Sequence, residues 1–433
     1  MAHLKRALGL LETAICGVGI ILGAGIYALI GAGAGLAGSA LWLAFVIAAI
    51  VSAFSALSYA ELSSMFPKAA STYEYVRNAF GRGPAFIIGW LMLAGLVVSS
   101  VTVSIGFANY FSALTDTPQW LGATVVMAFC FAILLLGIRE SALIGIITTA
   151  IEVLGLIIVI AIAVPHFGSV DYFEMSALGI GGVFAAAALV FFAYLGFEDM
   201  VKLSEEVKEP KKTMPRAIIL AISFTTVLYV LVAIAAVSIL PWNVLGESKA
   251  PLADVAGSVF GSSVYDIVAI IALFATGNTV LFMLLAGSRL IYGMADSGAF
   301  PKQLAFINNR GVPIYATIAI CGITYILTYS GNIMLAALVT DLLLFTVFAA
   351  VNASVITLRY KLPGMKRGFR VPLSIGKLPL LPLFGFFTSL LLIASVGVEA
   401  FPYAVFILLA GAAVYFARNR KIKIKNENRE KKK

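Results

Sequence analysis

The feature that most restricts this chain is the length of its apolar runs. A helix needs about 20 mostly apolar residues to cross the hydrocarbon of a bilayer. About twelve runs of that kind follow one another, centred at residues 11–33, 40–60, 84–112, 120–137, 142–164, 178–200, 216–240, 265–292, 313–330, 333–358, 378–397 and 401–417. A membrane barrel would instead show alternating segments of about ten residues. The chain is therefore an all-α integral membrane protein of about 12 transmembrane helices. With 61% hydrophobic and only 12% charged residues, residues 1–433 read as one membrane domain with no soluble domain inserted. The first run follows Lys5 and Arg6 and could pass for a signal peptide, but it is long enough to span and is read as a retained helix.

The net charge of +9 sits in short loops and in the tail at 418–433. One side collects Lys5, Arg6, Lys68, Arg77, Arg82, Arg139, the lysines from Lys202 to Lys212, Arg310 and the cations from Arg359 to Lys377; the other holds mostly acids such as Asp116, Asp171 and Glu174. Every even-numbered crossing returns to the basic side, which places both termini in the cytoplasm of a cell (plasma) membrane protein. The basic tail is expected to be disordered and drawn to anionic lipid. Membrane orientation accounts for the charge, so nucleic acid is not a partner. Cys16, Cys130 and Cys321 all fall in apolar runs, and His3 and His166 are far apart, so neither a disulfide framework nor a metal site is expected. No nucleophile elbow and no Walker loop is present. A catalytic site, a cofactor and ATP-driven transport have no support.

Within the first run lies Gly17-Val18-Gly19-Ile20-Ile21-Leu22-Gly23-Ala24-Gly25-Ile26-Tyr27. Each glycine in a helix costs about 1 kcal/mol relative to alanine, so the helix can unwind cheaply near Gly23-Ala24-Gly25. Bare backbone at membrane depth is tolerated only against protein or a water-filled cavity. A broken span is thus a candidate small-solute site, with the N-terminus of its second half facing an anion. A glycine face for close helix packing is the competing interpretation, because Gly19 and Gly23 have small-xxx-small spacing. Five spans later Phe191-Phe192-Ala193-Tyr194-Leu195-Gly196-Phe197-Glu198-Asp199 interrupts another run with a glycine and two acids. Interrupted spans at corresponding positions of two halves mark an inverted-repeat transporter with a midplane site.

At these two motifs the chain resembles the amino acid–polyamine–organocation transporter superfamily, and is most similar to its cationic amino acid transporter and related prokaryotic permease branches. Three further stretches carry the resemblance: Gly137-Ile138-Arg139-Glu140-Ser141-Ala142, the segment from Glu205 to Ala217, and the segment from Ser288 to Pro301. The resemblance implies a leucine-transporter-like fold of 5+5 inverted repeats (1–164 and 178–358) plus two helices (378–417), with helices 1 and 6 discontinuous. It implies a substrate α-carboxylate held by backbone N–H groups around Gly23, Ala24 and Gly25, and an α-ammonium held by carbonyls near Ile21, Phe192 and Leu195. Phe192 stands where arginine/agmatine-type members carry a tryptophan; it gates the substrate or simply packs the helix. On this reading Gly25→Val blocks backbone approach and leaves the fold intact.

Glu198 matches a family position proposed to sense protons; the alternative is an acceptor that ties the unwound segment to its neighbours. Glu152 falls where many prokaryotic relatives place a lysine that stands in for sodium, which puts lysine-based coupling in doubt. It either carries the coupling proton itself or joins carbonyls near Gly17 and Ile20, with Thr276 or Asn278, around a small cation. Asp341 is a third buried acid, facing a cationic substrate or paired with a donor.

The function expected is secondary active amino acid transport, proton-coupled, by alternating access around helices 1 and 6. Sodium-coupled symport is one alternative; an amino-acid-binding sensor without turnover is another, disfavoured because sensors usually add a cytoplasmic domain or a long structured tail. Cationic substrates follow from the branch resemblance and Asp341, small neutral ones from Ala24, Phe192 and Ala193, with polyamines third. The partners are then an amino acid, a proton or sodium ion, and membrane lipid.

Overall fold

A computed structural model describes residues 9–430, apart from 67–70, 137, 202–206, 297, 299, 309 and 330–331; for residues 71, 138–146 and 418–430 only the backbone is described. Lys5, Arg6, Lys68, Gly137 and Lys202 lie outside the described residues, as do Glu205 and Glu206.

The described chain is almost wholly helical. The first run is split into α1 (Leu10–Ile21) and α2 (Ala24–Ala37), followed by α3 (Leu41–Met65), a short α4 (Ser71–Phe80), α5 (Arg82–Thr115), α6 (Gln119–Leu136) and α7 (Ile138–Ala163). The second half opens with another split span, α8 (Gly179–Val190) and α9 (Phe197–Met200), joined by a 3₁₀ turn. It continues with α10 (Pro210–Ile239), α11 (Trp242–Glu247), α12 (Pro251–Phe260), α13 (Ser262–Asp296), α14 (Ile314–Thr328), α15 (Ile333–Lys361), α16 (Leu380–Ser395) and α17 (Phe401–Glu430). A two-residue hairpin, β1 (Ser374–Ile375) with β2 (Leu378–Pro379), lies between α15 and α16.

Among the described residues nine helical stretches are long and apolar enough to cross a membrane. The 42-residue stretch Ala24–Met65 folds back at a 3₁₀ turn over Gly38–Ala40 and so makes two passes. That gives ten crossings, the first of them completed by the short α1, and the shorter apolar helices α14 and α16 bring the number to the twelve that the runs marked out. At 15 residues α14 is about 22 Å long, below the ~30 Å of hydrocarbon; local thinning of the bilayer accommodates such a shortfall. The long connection between the seventh and eighth spans is not loose, since it folds into α11 and α12, with Leu252 and Val255 fully buried.

The packing relies on small and polar residues, as it must where lipid offers no hydrophobic drive between helices. Asn352 of α15 donates to Ser55 Oγ (3.1 Å) and accepts from Ser58 Oγ (2.5 Å) of α3. Gly385 of α16 lies against that same amide, where an added Cβ would come within 2.8 Å. An aromatic cluster built on Phe348 gathers Tyr59, Phe191 and Phe197, with Phe345 4.7 Å from Phe191.

The expectation of a disordered tail is overturned over 418–430, where α17 continues as helix to Glu430. That stretch contains neither Gly nor Pro and is rich in Lys, Arg and Glu, all good helix formers. Only 11% of the membrane window of α17 is buried within the protein. Its attachment includes Trp90, whose Nε1–H donates to the Ile407 carbonyl (2.8 Å) and whose ring lies against Gly411. A Cβ at Gly411 would fall 2.4 Å from Trp90 Cδ1. Gly411→Leu should therefore lower stability by about 1–3 kcal/mol through overpacking, and Trp90→Phe by about 1 kcal/mol through the lost hydrogen bond; thermal unfolding in detergent checks both.

Candidate functional site

The two helix breaks meet at the centre of the molecule. The first falls one step earlier than the glycines suggested. Leu22 (ψ 119°) and Gly23 (φ −161°, ψ −164°) are extended, and Ala24 already opens α2. The second runs through the 3₁₀ turn Phe191–Tyr194 and extended Leu195 to Gly196, whose φ of 119° only glycine adopts readily. The breaks interlock. A Cβ on Gly196 would strike the Ile20 carbonyl oxygen at 2.5 Å, and a Cβ on Gly25 would strike Ala193 Cα at 2.5 Å.

This corrects the expectation for Gly25. Its missing side chain makes room for the second break, so Gly25→Val would wedge the two segments apart instead of leaving the fold intact.

Buried hydroxyls from neighbouring helices take up backbone groups that unwinding leaves without helical partners. The Ala24 N–H donates to Thr279 Oγ1 (3.0 Å) on α13. Tyr229 of α10, fully buried, donates to the Ile21 carbonyl (3.1 Å) and the Ala193 carbonyl (2.9 Å), one from each break. A hydroxyl has one proton, so it serves one of these carbonyls at a time. Beyond the break, within the intact part of α2, Tyr110 donates to the Tyr27 carbonyl (2.9 Å), and the Tyr27 hydroxyl in turn to the Glu152 carbonyl of α7 (2.7 Å). Gly25, in the first turn of α2, has no intrahelical acceptor for its N–H.

Between the breaks lies a cavity of about 50 Å³. Ile21, Gly23, Ala24 and Gly25 line it from the first break, and Phe192, Leu195 and Glu198 from the second. Its other walls are mainly apolar, with Met92 and Leu96 from α5, Phe282 from α13 and Leu344 from α15. Phe192 faces this cavity, whereas its neighbour Phe191 fills the aromatic cluster. Every residue expected to bind substrate is thus brought to one place.

The residues expected to handle the coupling ion divide. Glu198 lines the cavity and accepts the Gly196 N–H (2.9 Å), a bond within the second break at the start of α9. Glu152 is 1% exposed; its Oε1 accepts from Asn278 Nδ2 (3.0 Å). Among the described residues Glu152 Oε2 and Asn278 Oδ1 have no hydrogen-bond partner. Asn278 lines the cavity while Glu152 does not. Gly17 packs instead towards Met200 and Ala221, and the Ile20 carbonyl against Gly196. Thr276 turns its hydroxyl back to the Ala272 carbonyl (2.7 Å). Asp341 is fully buried on α15, neither of its oxygens has a hydrogen-bond partner among the described residues, and it is not part of the cavity wall.

Sequence reasoning missed Tyr229, Thr279 and Tyr110. For Tyr229 the available signal was tyrosine in the middle of a span, away from the interfaces where it is common; a buried phenol needs an acceptor, and a broken helix supplies carbonyls.

A family model for amino acid permeases matches residues 8–419. The chain is 31% identical to the branched-chain amino acid permease BcaP of Bacillus subtilis, over 96% of this chain and 94% of that protein. It is 29% identical to the methylthioribose transporter of the same organism, over 98% and 95% respectively. It is 30% identical to the vacuolar cationic amino acid transporter 4 of Arabidopsis thaliana, over 83% of this chain and 64% of that protein.

Two substitutions test the geometry of the breaks. Gly25→Ala should cost about 1–3 kcal/mol, because the new methyl group meets backbone. Tyr229→Phe should cost about 1–3 kcal/mol, because buried carbonyls lose their donor. Unfolding midpoints in detergent check both, and an unchanged midpoint for Gly25→Ala would mean that the breaks are not in contact.

Proposed function

The chain belongs to the amino acid permease family of the amino acid–polyamine–organocation superfamily, a multi-pass membrane transport protein and not an enzyme, and from that premise we propose that it is a proton-coupled secondary transporter of neutral, apolar amino acids. The observation that carries this reading is the small, mainly apolar cavity between two broken spans. At its wall, the first turn of α2 offers N–H groups to a carboxylate. Carbonyls of Ile21, Phe192 and Leu195 offer acceptors to an ammonium group. Recognition of both charged ends by backbone makes the site specific for α-amino acids, and the surrounding Met92, Leu96, Phe192, Phe282 and Leu344 favour an apolar side chain. The name of the Bacillus branched-chain permease points the same way. Asp341, the acid expected to face a cationic substrate, lies outside the cavity wall, although Glu198 and Asp199 line it.

Alternating access would proceed by rocking of the broken helices against the walls, within inverted repeats at 1–164 and 178–358, with 378–417 as additional helices and both termini in the cytoplasm of a plasma-membrane protein. For coupling, Asn278 links the cavity to Glu152, and the unpartnered Glu152 Oε2 is the place for a proton. One observation favours sodium as a second reading: Glu152 Oε2 and Asn278 Oδ1 are two hard oxygen ligands without a donor.

Uptake into liposomes of purified protein tests this directly, with leucine, valine, alanine, arginine and lysine, with and without an inward proton gradient and with or without sodium. Gradient-driven leucine uptake in the absence of sodium is the expected result. Uptake only with sodium would move coupling to the cation reading, preference for arginine would overturn the substrate assignment, and binding without uptake would indicate a sensor. Glu152→Gln should abolish the pH dependence of uptake; a pH profile like that of the parent protein would remove Glu152 from proton coupling.

A further inference from the structure

Outside the cavity wall, in the last turns of α3 and α15, a fully buried carboxylate organises a second cluster. Glu61 of α3 is 0% exposed. Its Oε1 accepts from Arg359 Nε (3.0 Å) and Arg367 Nε (3.1 Å), and its Oε2 from Arg359 Nη2 (2.5 Å) and the Val371 N–H (2.8 Å). Arg359, itself 3% exposed, also donates to Ser374 Oγ (2.6 Å) and the Val371 carbonyl (3.0 Å). One turn along α3, Ser64 exchanges hydrogen bonds with the backbone of Phe369. The segment that links α15 to α16 is thereby strapped across the end of α3.

We propose that this cluster is a latch between the two moving parts of the transporter, released and remade in each transport cycle. The proposal rests on the permease reading. α3 packs chiefly on α10 and α8, the helices that carry Tyr229 and lead into the second break, whereas α15 packs chiefly on α5, a wall of the cavity. The latch therefore joins the body that holds both breaks to the body that faces them. Buried ion pairs add little net stability compared with apolar side chains of similar volume, and switching is one of their attested uses. All three charged groups regain hydration on exposure, so the open state is accessible. The strap contains only the two-residue hairpin as regular structure, so it can lift from α3 without unfolding a helix.

Ser64 supplies the test, because it is 1% exposed and lies beneath Phe369. In full-length protein with Cys16, Cys130 and Cys321 replaced by serine, Ser64→Cys is labelled with a charged thiol reagent in liposomes, with and without leucine. The latch requires the labelling rate to change with leucine by roughly fivefold or more, the lower end of ordinary ligand–conformation coupling. The paired substitution Glu61→Gln with Arg359→Gln should label fast with or without leucine; Arg367→Gln, at the rim, should lie between if the pair fails to fold. The same rate with and without leucine, in protein that takes up leucine, would show a static contact and overturn the latch. Failure of the cysteine-replaced parent to take up leucine, where the unmodified protein also fails, would overturn the leucine assignment; the labelling is then read with the amino acid that is taken up, and a rate it leaves unchanged overturns the latch.

Discussion

A peptide group without a hydrogen-bond partner cannot be left in hydrocarbon, and the centre of this protein is arranged around that rule. Two helices stop in mid-membrane, and each break calls for donors and acceptors from elsewhere. Tyr229, Thr279 and Glu198 answer from other helices or from just beyond the break. The rest of the bundle holds these side chains in place. The groups that stay available are then few, clustered and directional, as recognition of a small zwitterion requires.

Much of this was legible in the sequence, for a physical reason. Run length is set by bilayer thickness, so the crossings from α3 to α17 could be located from hydropathy. A glycine pair in mid-span and a glycine followed by acids identify the breaks, since few other sequences interrupt a membrane helix there. Which atoms meet was not legible. Gly25 looked like an opening for substrate, and only its distance to Ala193 shows that it makes room for the other break. Thr276 and Asn278 are two residues apart and looked interchangeable, yet the turn of the helix sends one hydroxyl to its own backbone and the other side chain to Glu152. Glu61 left no trace at all, because its arginines lie about 300 positions downstream.

Three buried acids illustrate how environment assigns different work to one functional group. Glu61 is saturated with donors, Glu198 accepts a backbone N–H within the second break beside the cavity, and Glu152 shares a single donor with a free oxygen left over. Placing a charged group at bilayer depth is costly, so the degree of satisfaction separates a structural carboxyl from one with capacity to bind a cation or a proton.

The reciprocal contact of the breaks, Gly25 on Ala193 and Gly196 on Ile20, also bears on how such a protein can change over generations. Each half presents its backbone to a glycine in the other, with no side chain between them to absorb a mismatch. A hybrid that takes its first half from one relative and its second from another would inherit two surfaces shaped for absent partners. The two breaks form one hereditary unit, and drift at either is answerable to the other.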